Sequence, residues 1–288
     1  MTPDEKLAAI LAAIQTDPGN RGLACDPDDN LFTACPGDFA AACRSIAEHP
    51  KPGLGVVTGF FIPTAAPPAF ETDGPLGSLF LLRALPALGI PVTLVTDEGC
   101  HNALTVGASP IYWGPPLDNT SHLLSIERVG PAQDGRCYSM RGRDVTDLTD
   151  PLHEYFAWED PRCRDYTMIG IGDGGNEIGM GKIPHETIVK NIPNGDLIHC
   201  RIATDHLIVA GVSNWGAYAL AAGVFVLRGV KPPADLFDPD REREILEVMV
   251  REGPLVDGVT GKKSATVDGL SWDEYTRPLV RIRDILES

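Results

Sequence analysis

The sequence predicts an α/β fold: a mostly parallel sheet with helices on both faces, in an open, doubly wound, Rossmann-like arrangement of three layers. Apolar strand-like runs alternate with helical patterns between residues 51 and 230, which is typical of βαβ units. Several runs end directly in acidic or glycine-rich turns, where open α/β sheets bind their ligands. We expect a single domain over residues 1–288, with an N-terminal helical segment (1–50), the sheet core (51–230), and C-terminal helices with a Gly/Lys loop (231–288).

Composition restricts the partners and the compartment. The chain carries 24 basic and 40 acidic residues, a net charge of −16 that repels nucleic acid and anionic membranes, so we expect neither as a partner. No apolar run approaches the roughly 20 residues of a membrane span, and no signal peptide is recognisable at the N-terminus. Seven scattered cysteines without a C-x-x-C pair are typical of reduced thiols. We therefore predict a cytoplasmic protein, and the sequence is compatible with a homo-oligomer.

The N-terminal segment is predicted to form two helices. Thr2, Pro3 and Glu5 have the spacing of an N-cap, a first-turn proline and a capping box. A second helix is predicted over about residues 38–48. Between them Arg21 lies in a loop crowded with acids, where pairing with a neighbouring aspartate is its simplest role.

The first predicted strand, residues 55–62, leads through a proline-rich loop to the segment of residues 71–77, ETDGPLG. An apolar helix is predicted over residues 78–88, so the N–H groups of its first turn would face the carboxylates of Glu71 and Asp73. One acid could simply cap the helix. Two acids, two glycines and a proline within seven residues exceed what a cap requires, and we favour a ligand site here.

The remaining elements alternate in the same way. The last strand of the core is followed directly by Ser213 and Asn214 and then by a helix of small residues. We predict further strands over residues 92–96, 123–129 and 206–211, and helices within residues 144–158, 217–227 and 239–251 and in the last residues up to 285.

The loop of residues 257–264 resembles a phosphate loop only superficially. Two residues instead of four separate its glycines, and Lys263 instead of a serine or threonine follows Lys262. We therefore expect no ATP site. The loop still offers two ammonium groups in a very acidic protein, and it is a candidate anion clamp or lid.

The stretch of residues 166–182 has the composition of a ligand-binding turn. A short buried strand, residues 166–169, is followed by six glycines in twelve residues, a density that no ordinary helix or strand tolerates. Asp173, Asn176 and Glu177 lie inside this run. Carboxylates in such a turn suit a metal ion, an ammonium group or proton transfer.

Gly170, Gly172 and Gly175 also fit the dinucleotide-binding pattern G-x-G-x-x-G. That pattern works because bare N–H groups meet a pyrophosphate, and here the carboxylate of Asp173 would face the phosphates. The acidic residue required about twenty positions later could only be Asp196, which precedes an apolar run instead of ending one. We therefore do not expect NAD as a cofactor.

Seven short motifs lie between about residue 20 and residue 270. They are Arg21-Gly22-Leu23, Thr58-Gly59-Phe60, Glu71-Thr72-Asp73-Gly74-Pro75-x-Gly77, Gly170-x-Gly172-Asp173-Gly174-Gly175-Asn176-Glu177-x-Gly179-Met180-Gly181, Ser213-Asn214-Trp215-Gly216, Asp257-Gly258-Val259-Thr260-Gly261-Lys262 and Thr266-Val267-Asp268-Gly269. As a set they closely resemble the D-glutamate cyclase family, in particular the domain that is C-terminal in its longer eukaryotic members. The resemblance implies a lyase of amino-acid metabolism, a hydro-lyase that converts D-glutamate to 5-oxo-D-proline with loss of water.

The carboxylates of the chain suit the proton transfers of that reaction. The α-amine must lose a proton before it attacks the γ-carboxyl carbon, and Asp73 or Asp173 is the expected base. Glu177 or Glu71 could protonate the departing oxygen.

The intermediate and the substrate carboxylate need further groups. The tetrahedral intermediate requires donors or a cation, from the N–H groups of Gly174 and Gly175, the Asn176 amide, or a Mg²⁺ or Mn²⁺ ion held by Asp173 and Glu177. Lys262 or Arg21 could bind the α-carboxylate. The other expected substrate contacts are Thr58, Gly59, Gly74, Ser213 and Asn214.

Two other functions use the same residues. The carboxylates could hold Mg²⁺ in a phosphohydrolase, or the crevice could bind an amino acid or nucleotide without catalysis. Several acids gathered at strand ends favour chemistry over simple binding, because their mutual repulsion costs stability that recognition alone does not require.

Overall fold

The computed structural model describes residues 1–107, 120–157 and 164–288. The strands are β1 Leu54–Thr58, β2 Phe61–Ile62, β3 Ala69–Phe70, β4 Val92–Val95, β5 His122–Ile126, β6 Thr167–Gly172 and β7 His206–Val209. The α-helices are α1 Pro3–Ile14, α2 Asp38–Glu48, α3 Pro75–Ala84, α4 Glu98–Gly107, α5 His185–Asn191, α6 Gly195–Ile198, α7 Ser213–Arg228, α8 Pro239–Glu252 and α9 Trp272–Glu287.

Five strands form one sheet, and each neighbouring pair in it is parallel. The strand order is β4-β1-β5-β6-β7, so the chain first adds a strand on one side of β1 and then continues on the other side. The switch lies between β1 and β5, and the crevice outside the carboxyl ends of strands at such a switch is where open α/β sheets bind ligands. The predicted parallel α/β fold is confirmed.

The two faces of the sheet are covered differently. On one face, α3 and α7 pack against strand residues such as Val56 and Leu124, and α1, α2 and α9 pack against α7. On the other face, Val57 and Leu123 pack against a 3₁₀ helix, Leu152–Phe156, while α5 and α6 cover the end near β7. The predicted helices on both faces are confirmed, and the second face differs in carrying short ones.

Small residues bring α3 and α7 close together. Gly77 of α3 faces Asn214 and Ala217 of α7, and a Cβ atom at Gly77 would lie 2.9 Å from the Cα of Asn214. The two helices therefore begin side by side at the carboxyl edge of the sheet.

Each of the strands predicted over residues 55–62, 92–96, 123–129 and 206–211 ends earlier than expected, and the first and third differ most because the chain turns at this edge. The strand predicted over residues 55–62 stops at Thr58, since Gly59 has a φ of 110° in the left-handed region. The strand predicted over residues 123–129 stops at Ile126, since Glu127 has a φ of 47°. Both turns direct the following residues into the crevice.

The helix boundaries show similar differences. The helix predicted from residue 78 already begins at Pro75, because proline suits the first turn. Residues 144–158 contain two 3₁₀ turns in place of an α-helix, and Trp158 lies outside the described residues. The helices α4, α5 and α6 were not predicted. No helix in the described part of the chain combines the length and apolar character needed to cross a membrane.

A buried ion pair joins α3 to α8. Arg83 pairs with Glu242, whose side chain is fully buried. The other carboxylate oxygen of Glu242 accepts a hydrogen bond from the hydroxyl of Tyr218 (3.2 Å), which lies 2.7 Å from the hydroxyl of Tyr275 on α9. Removing one partner of a buried pair leaves the other charge uncompensated.

We expect Arg83→Ala to lower the free energy of unfolding by about 3 kcal/mol, because Glu242 loses its charge partner. The matched control is Arg243→Ala, which removes an exposed pair with Glu247 and should cost less than about 1 kcal/mol. Urea unfolding followed by circular dichroism measures both. Equal losses in the free energy of unfolding would show that the buried ion pair stabilises the protein no more than the exposed one.

Candidate active site

Asp73 and Asn214 hold the N-termini of α3 and α7 together. The carboxylate of Asp73 accepts hydrogen bonds from the N–H groups of Ser213 (2.9 Å) and Asn214 (2.8 Å) at the start of α7. The side-chain oxygen of Asn214 accepts hydrogen bonds from the N–H groups of Gly74 (2.9 Å) and Gly77 (2.7 Å) at the start of α3. The start of α7 is thus capped by a side chain from the turn that precedes α3, and the start of α3 is capped by a side chain of α7.

Arg21 reaches the same crevice from the loop after α1. The carboxylate of Asp17 accepts hydrogen bonds from the N–H groups of Arg21 and the two residues after it, which fixes the shape of this loop. The guanidinium of Arg21 pairs with Asp173, with 2.5 Å between Nη1 and Oδ1, and with Asp268. Arg21 therefore neutralises carboxylates of the protein itself.

Glu177 shapes the glycine-rich turn after β6. Its two carboxylate oxygens accept hydrogen bonds from the N–H groups of Asp173 (2.8 Å) and Gly175 (2.7 Å), and its side chain is fully buried. Two expectations from the sequence are therefore corrected. The Glu177 carboxylate is engaged by the backbone, and the N–H group of Gly175 is not free to stabilise an intermediate.

Five carboxyl groups lie together at the carboxyl edge of the sheet. Besides Asp73 and Asp173 they are Glu71, Glu127 and Asp268, and all five residues are buried. Burial raises the pKa of Glu71 and Glu127 well above the usual range, and the neighbouring carboxylates add to the effect. Burial also raises the pKa of Asp73, although the hydrogen bond from the Asn214 N–H opposes the shift.

Two members of this cluster titrate near neutral pH. Burial raises the pKa of Asp173 to about 7 and the pKa of Asp268 to about 6, in both cases against the opposing effect of the Arg21 guanidinium. A carboxyl group with a pKa close to the working pH can both accept and donate a proton. The cluster therefore holds exchangeable protons under physiological conditions.

Three of these carboxylates could also hold a metal ion. Asp73, Glu127 and Asp173 each offer one oxygen, and these oxygens lie within 4.8 Å of one another. The Oδ2 atom of Asp173 is buried and has no hydrogen-bond partner among the described residues. Such hard oxygen donors suit Mg²⁺ or Mn²⁺. Asp173 is grouped here with Asp73 and Glu127 instead of Glu177, because Glu177 turns towards the backbone.

The cluster borders a cavity of about 280 Å³. Its buried acidic end, the floor, contains Glu71, Glu127, Asp173 and Asp268 with Arg21. Its exposed end, the rim, carries two arginines. The described lining residues are Gly19, Arg21, Phe60, Ile62, Pro63, Thr64, Glu71, Glu127, Ser139, Met140, Arg141, Arg143, Asp173, Asn176, Gly258, Val259 and Asp268.

The rim arginines lie on the segment between β5 and β6. Arg141 donates a hydrogen bond to the carbonyl of Val259 across the mouth of the cavity (3.1 Å). Within residues 1–107, 120–157 and 164–288, neither Arg141 nor Arg143 pairs with a carboxylate. Both guanidinium groups are exposed and can meet an anionic part of a ligand.

The loop after α8 contributes to both ends of the cavity. The fully buried carboxylate of Asp257 accepts hydrogen bonds from the N–H of Val259 (3.1 Å) through one oxygen and from the N–H of Gly269 (2.7 Å) through the other. Gly258 lies directly against Glu71, and a Cβ atom there would be 1.6 Å from a carboxylate oxygen. The loop can lie over the floor only because this position is glycine.

The residues predicted from the sequence divide into two groups. Arg21, Glu71, Asp173 and Asn176 line the cavity, whereas Lys262 is exposed and is not among the described residues that line it. The predicted residues that do not line the cavity surface are Thr58, Gly59, Asp73, Gly74, Gly174, Gly175, Glu177, Ser213 and Asn214.

Several residues of the second group shape the site indirectly. The hydroxyl of Ser213 donates a hydrogen bond to Glu127 (2.6 Å). Gly74 leaves room for Thr58, since a Cβ atom there would lie 2.6 Å from the Thr58 hydroxyl. The carbonyl of Gly59 accepts a hydrogen bond (2.9 Å) from Arg128, a buried residue that follows β5.

The charged lining residues that sequence reasoning missed are Glu127, Asp268, Arg141 and Arg143. Glu127 directly follows an apolar run, which is the same signal that pointed to Asp173. Asp268 lies in a motif that carried the family resemblance. The two arginines occupy an irregular segment without periodicity, and no sequence pattern pointed to them.

The raised pKa of Asp173 predicts a stability change with pH. Because its folded pKa of about 7 exceeds the unfolded value of about 3.9, the folded state retains a proton that the unfolded state releases. This contribution to stability is complete below about pH 4 and is lost as the pH rises towards 7. We expect the melting temperature of Asp173→Asn to fall less than that of wild type between pH 5 and pH 8.

Differential scanning fluorimetry across this range measures the change. Asp284→Asn, at an exposed carboxylate on α9, is the control and should retain the wild-type slope. An unchanged slope in Asp173→Asn would show that this group does not titrate in the window.

Comparison with known proteins supports the same family as the sequence motifs do. A family model described as "D-glutamate cyclase-like, C-terminal" matches residues 10–111 and 113–283. The chain is 30% identical over 319 aligned residues to the Homo sapiens protein named "D-glutamate cyclase, mitochondrial", covering 94% of this chain and 50% of that protein. The chain thus spans about half the length of this relative.

One solved structure that resembles the chain is the sugar isomerase domain of an RpiR transcription factor from Sphaerobacter thermophilus. It has a TM-score of 0.31 and 16% identity, with 85% of this chain and 91% of that chain covered, and supports no inference about function. The family model, in contrast, extends over nearly the whole chain and includes the residues of the floor. The chain belongs to the D-glutamate cyclase family.

Proposed function

We propose that the protein catalyses the cyclising dehydration of D-glutamate to 5-oxo-D-proline. The observation that carries this proposal is the division of one cavity into a buried acidic floor and an exposed basic rim. A substrate for such a cavity must present an ammonium group and at least one carboxylate. Glutamate has this pattern, and the human relative is named for its D-enantiomer.

The reaction suggests how the substrate lies in the cavity. The amine and the γ-carboxyl carbon must meet, so the chain of glutamate folds and brings both to the same end. The floor suits them, because its carboxylates attract the ammonium and its protonated carboxyl groups can donate hydrogen bonds to the γ-carboxylate. The α-carboxylate then points away from the forming ring, towards Arg141 and Arg143.

Asp173 is best suited to move the protons. It lines the cavity, has one free buried oxygen, and has a pKa raised by burial to about 7. It can take a proton from the ammonium group, after which the amine attacks the γ-carbon. Asp73 is less suited, because both of its oxygens accept backbone hydrogen bonds and it does not line the cavity.

The proton balance of the reaction closes within the floor. The lactam keeps one of the three ammonium protons, and the other two leave with one γ-carboxyl oxygen as water. The carboxyl groups therefore only relay protons from nitrogen to oxygen. Glu71, which burial keeps protonated to a higher pH, is the candidate donor to the departing oxygen. Arg21 lies close enough to Asp173 to balance negative charge that develops in the intermediate.

A divalent ion is compatible with the same residues. Asp73, Glu127 and Asp173 would hold it, and when bound it would act as a Lewis acid on a carboxyl oxygen. Its presence would also offset the repulsion among the carboxylates.

The proposed reaction predicts a measurable turnover. We expect the purified protein to form 5-oxo-D-proline from D-glutamate in preference to the L-enantiomer, because rim and floor fix three groups around the α-carbon. Asp173→Asn should lower kcat by about 10²–10⁴-fold, since it keeps the shape but removes the base. Chiral chromatography of 5-oxoproline measures the preference between the enantiomers and the kcat of each variant. Asp284→Asn, the same substitution at an exposed site, is the control.

The assay is repeated with added Mg²⁺ or Mn²⁺ and after chelation. If chelation abolishes activity and Mg²⁺ or Mn²⁺ restores it, the reaction requires a divalent ion, in agreement with an ion held by the floor carboxylates. Full activity after chelation would mean that the carboxyl groups transfer the protons without a metal ion. If wild type forms no 5-oxoproline under any of these conditions, the proposed reaction is wrong for this chain.

The proposed binding mode predicts a role for the rim in substrate affinity. Arg143→Gln should raise the KM for D-glutamate about tenfold or more and change kcat less, because it removes a charge-assisted hydrogen bond to the α-carboxylate. The matched control is Arg136→Gln, on the same segment between β5 and β6. Arg136 is exposed, pairs with Asp144 and does not line the cavity. An equal rise in KM for both variants would indicate a general charge effect and no contact.

A further inference from the structure

The cavity can hold glutamate and is open at one end. Its volume of about 280 Å³ corresponds to about nine water molecules, since each takes up roughly 30 Å³ in the liquid, and glutamate has about ten non-hydrogen atoms. Its exposed end lies beside the exposed residues Arg141, Arg143 and Val259, so a larger substituent can extend through the mouth.

Part of the cavity wall is apolar, although the only apolar part of glutamate is its two methylene groups. Five apolar side chains line the cavity: Phe60, Ile62, Pro63, Met140 and Val259. Val259 is 48% exposed although it is a large hydrophobic residue. An apolar wall with an exposed hydrophobic residue at the mouth of a cleft is typical of a site for an apolar ligand group.

The floor favours a neutral group over the γ-carboxylate of glutamate. The floor accepts the γ-carboxylate only while enough of its own carboxyl groups are protonated, because next to ionised Glu71, Asp173 or Asp268 a carboxylate adds like charge in a buried site with one guanidinium. An amide in the same place carries no charge. Its nitrogen also leaves more readily than oxide or hydroxide, provided that an acid protonates it.

We infer that the protein also cyclises γ-amides of D-glutamate whose amine portion is apolar, and releases that amine. This inference rests on the proposed cyclase chemistry. The free α-amine would bind at the floor as in D-glutamate, the α-carboxylate would meet the rim arginines, and the substituent on the γ-nitrogen would lie against Phe60, Ile62 and Val259.

The reaction balances without a co-reactant. The ammonium nitrogen gives up one proton to Asp173 and a second to another floor carboxylate as it forms a bond to the γ-carbon. The tetrahedral intermediate then collapses, the bond between the γ-carbon and the amide nitrogen breaks, and a floor carboxyl group returns one proton to that nitrogen. The other proton goes to the released amine where that amine is basic, or to solvent where it is an aniline. The products are 5-oxo-D-proline and the amine, and water is neither consumed nor formed.

The test uses D-glutamate γ-p-nitroanilide, in which the leaving amine is aromatic and coloured. We expect wild type to release p-nitroaniline and 5-oxo-D-proline in equal amounts, with a KM about tenfold or more below that for D-glutamine, which has the same amide but no apolar group. Absorbance reports the amine and chromatography reports the lactam. A reaction without protein corrects for spontaneous cyclisation, and Asp173→Asn corrects for contaminating enzymes.

A variant of the apolar wall tests the binding mode. Val259→Ser should raise the KM for the anilide by a factor about ten times larger than the factor for D-glutamate, because the aromatic ring loses an apolar contact. An equal change for both substrates would contradict the placement of the leaving group.

The outcomes separate this inference from the proposed function. If D-glutamate is cyclised and the anilide is not, the inference is wrong and the cyclase proposal stands. If the anilide is cyclised and D-glutamate is not, the inference stands and the dehydration proposal is wrong. Release of p-nitroaniline with D-glutamate in place of 5-oxoproline would mean hydrolysis and would overturn the inference. No reaction with either compound would overturn both.

Discussion

The exchange of caps between Asp73 and Asn214 is the interaction on which the site depends. It ties the first turns of α3 and α7 to each other where the helices leave the sheet. Buried helix ends need partners for their free N–H groups, and here each end obtains them from its neighbour. Gly77 makes the exchange possible by letting the helices approach. The carboxyl edges of β1 and β7 are thereby held in a fixed relation, and with them the floor of the cavity.

The floor itself opposes folding. Four of its lining residues are carboxylic acids, and Asp73 lies just behind them, while Arg21 supplies one positive charge. Burial without enough counter-charge costs free energy unless protons or a cation are taken up. The surrounding apolar core, built largely on α3 and α7, offsets this cost. Groups whose pKa values are raised by burial are common in active sites, where proton transfer needs them.

The sequence predicted the elements of this arrangement better than their contacts. Periodicity and strand-end acids were sufficient for the parallel sheet, and Asp173 was found because glycines surround it. Glu127 was missed because it was counted inside a strand, and only the strand order β4-β1-β5 places the end of β5 beside β1. Glu177 was expected in the site because residue type and spacing do not say which way a side chain turns. Arg143 belongs to an irregular segment whose path depends on tertiary contacts.

The loop anchored by Asp257 makes the two ends of the cavity one mechanical unit. The same buried carboxylate holds the backbone at Val259, beside the mouth, and at Gly269, directly after the floor residue Asp268. One carboxylate therefore sets the backbone position both at the mouth and next to Asp268, which pairs with Arg21. Because Arg21 also pairs with Asp173, the shape of the entrance and the charge around Asp173 depend on the same anchor.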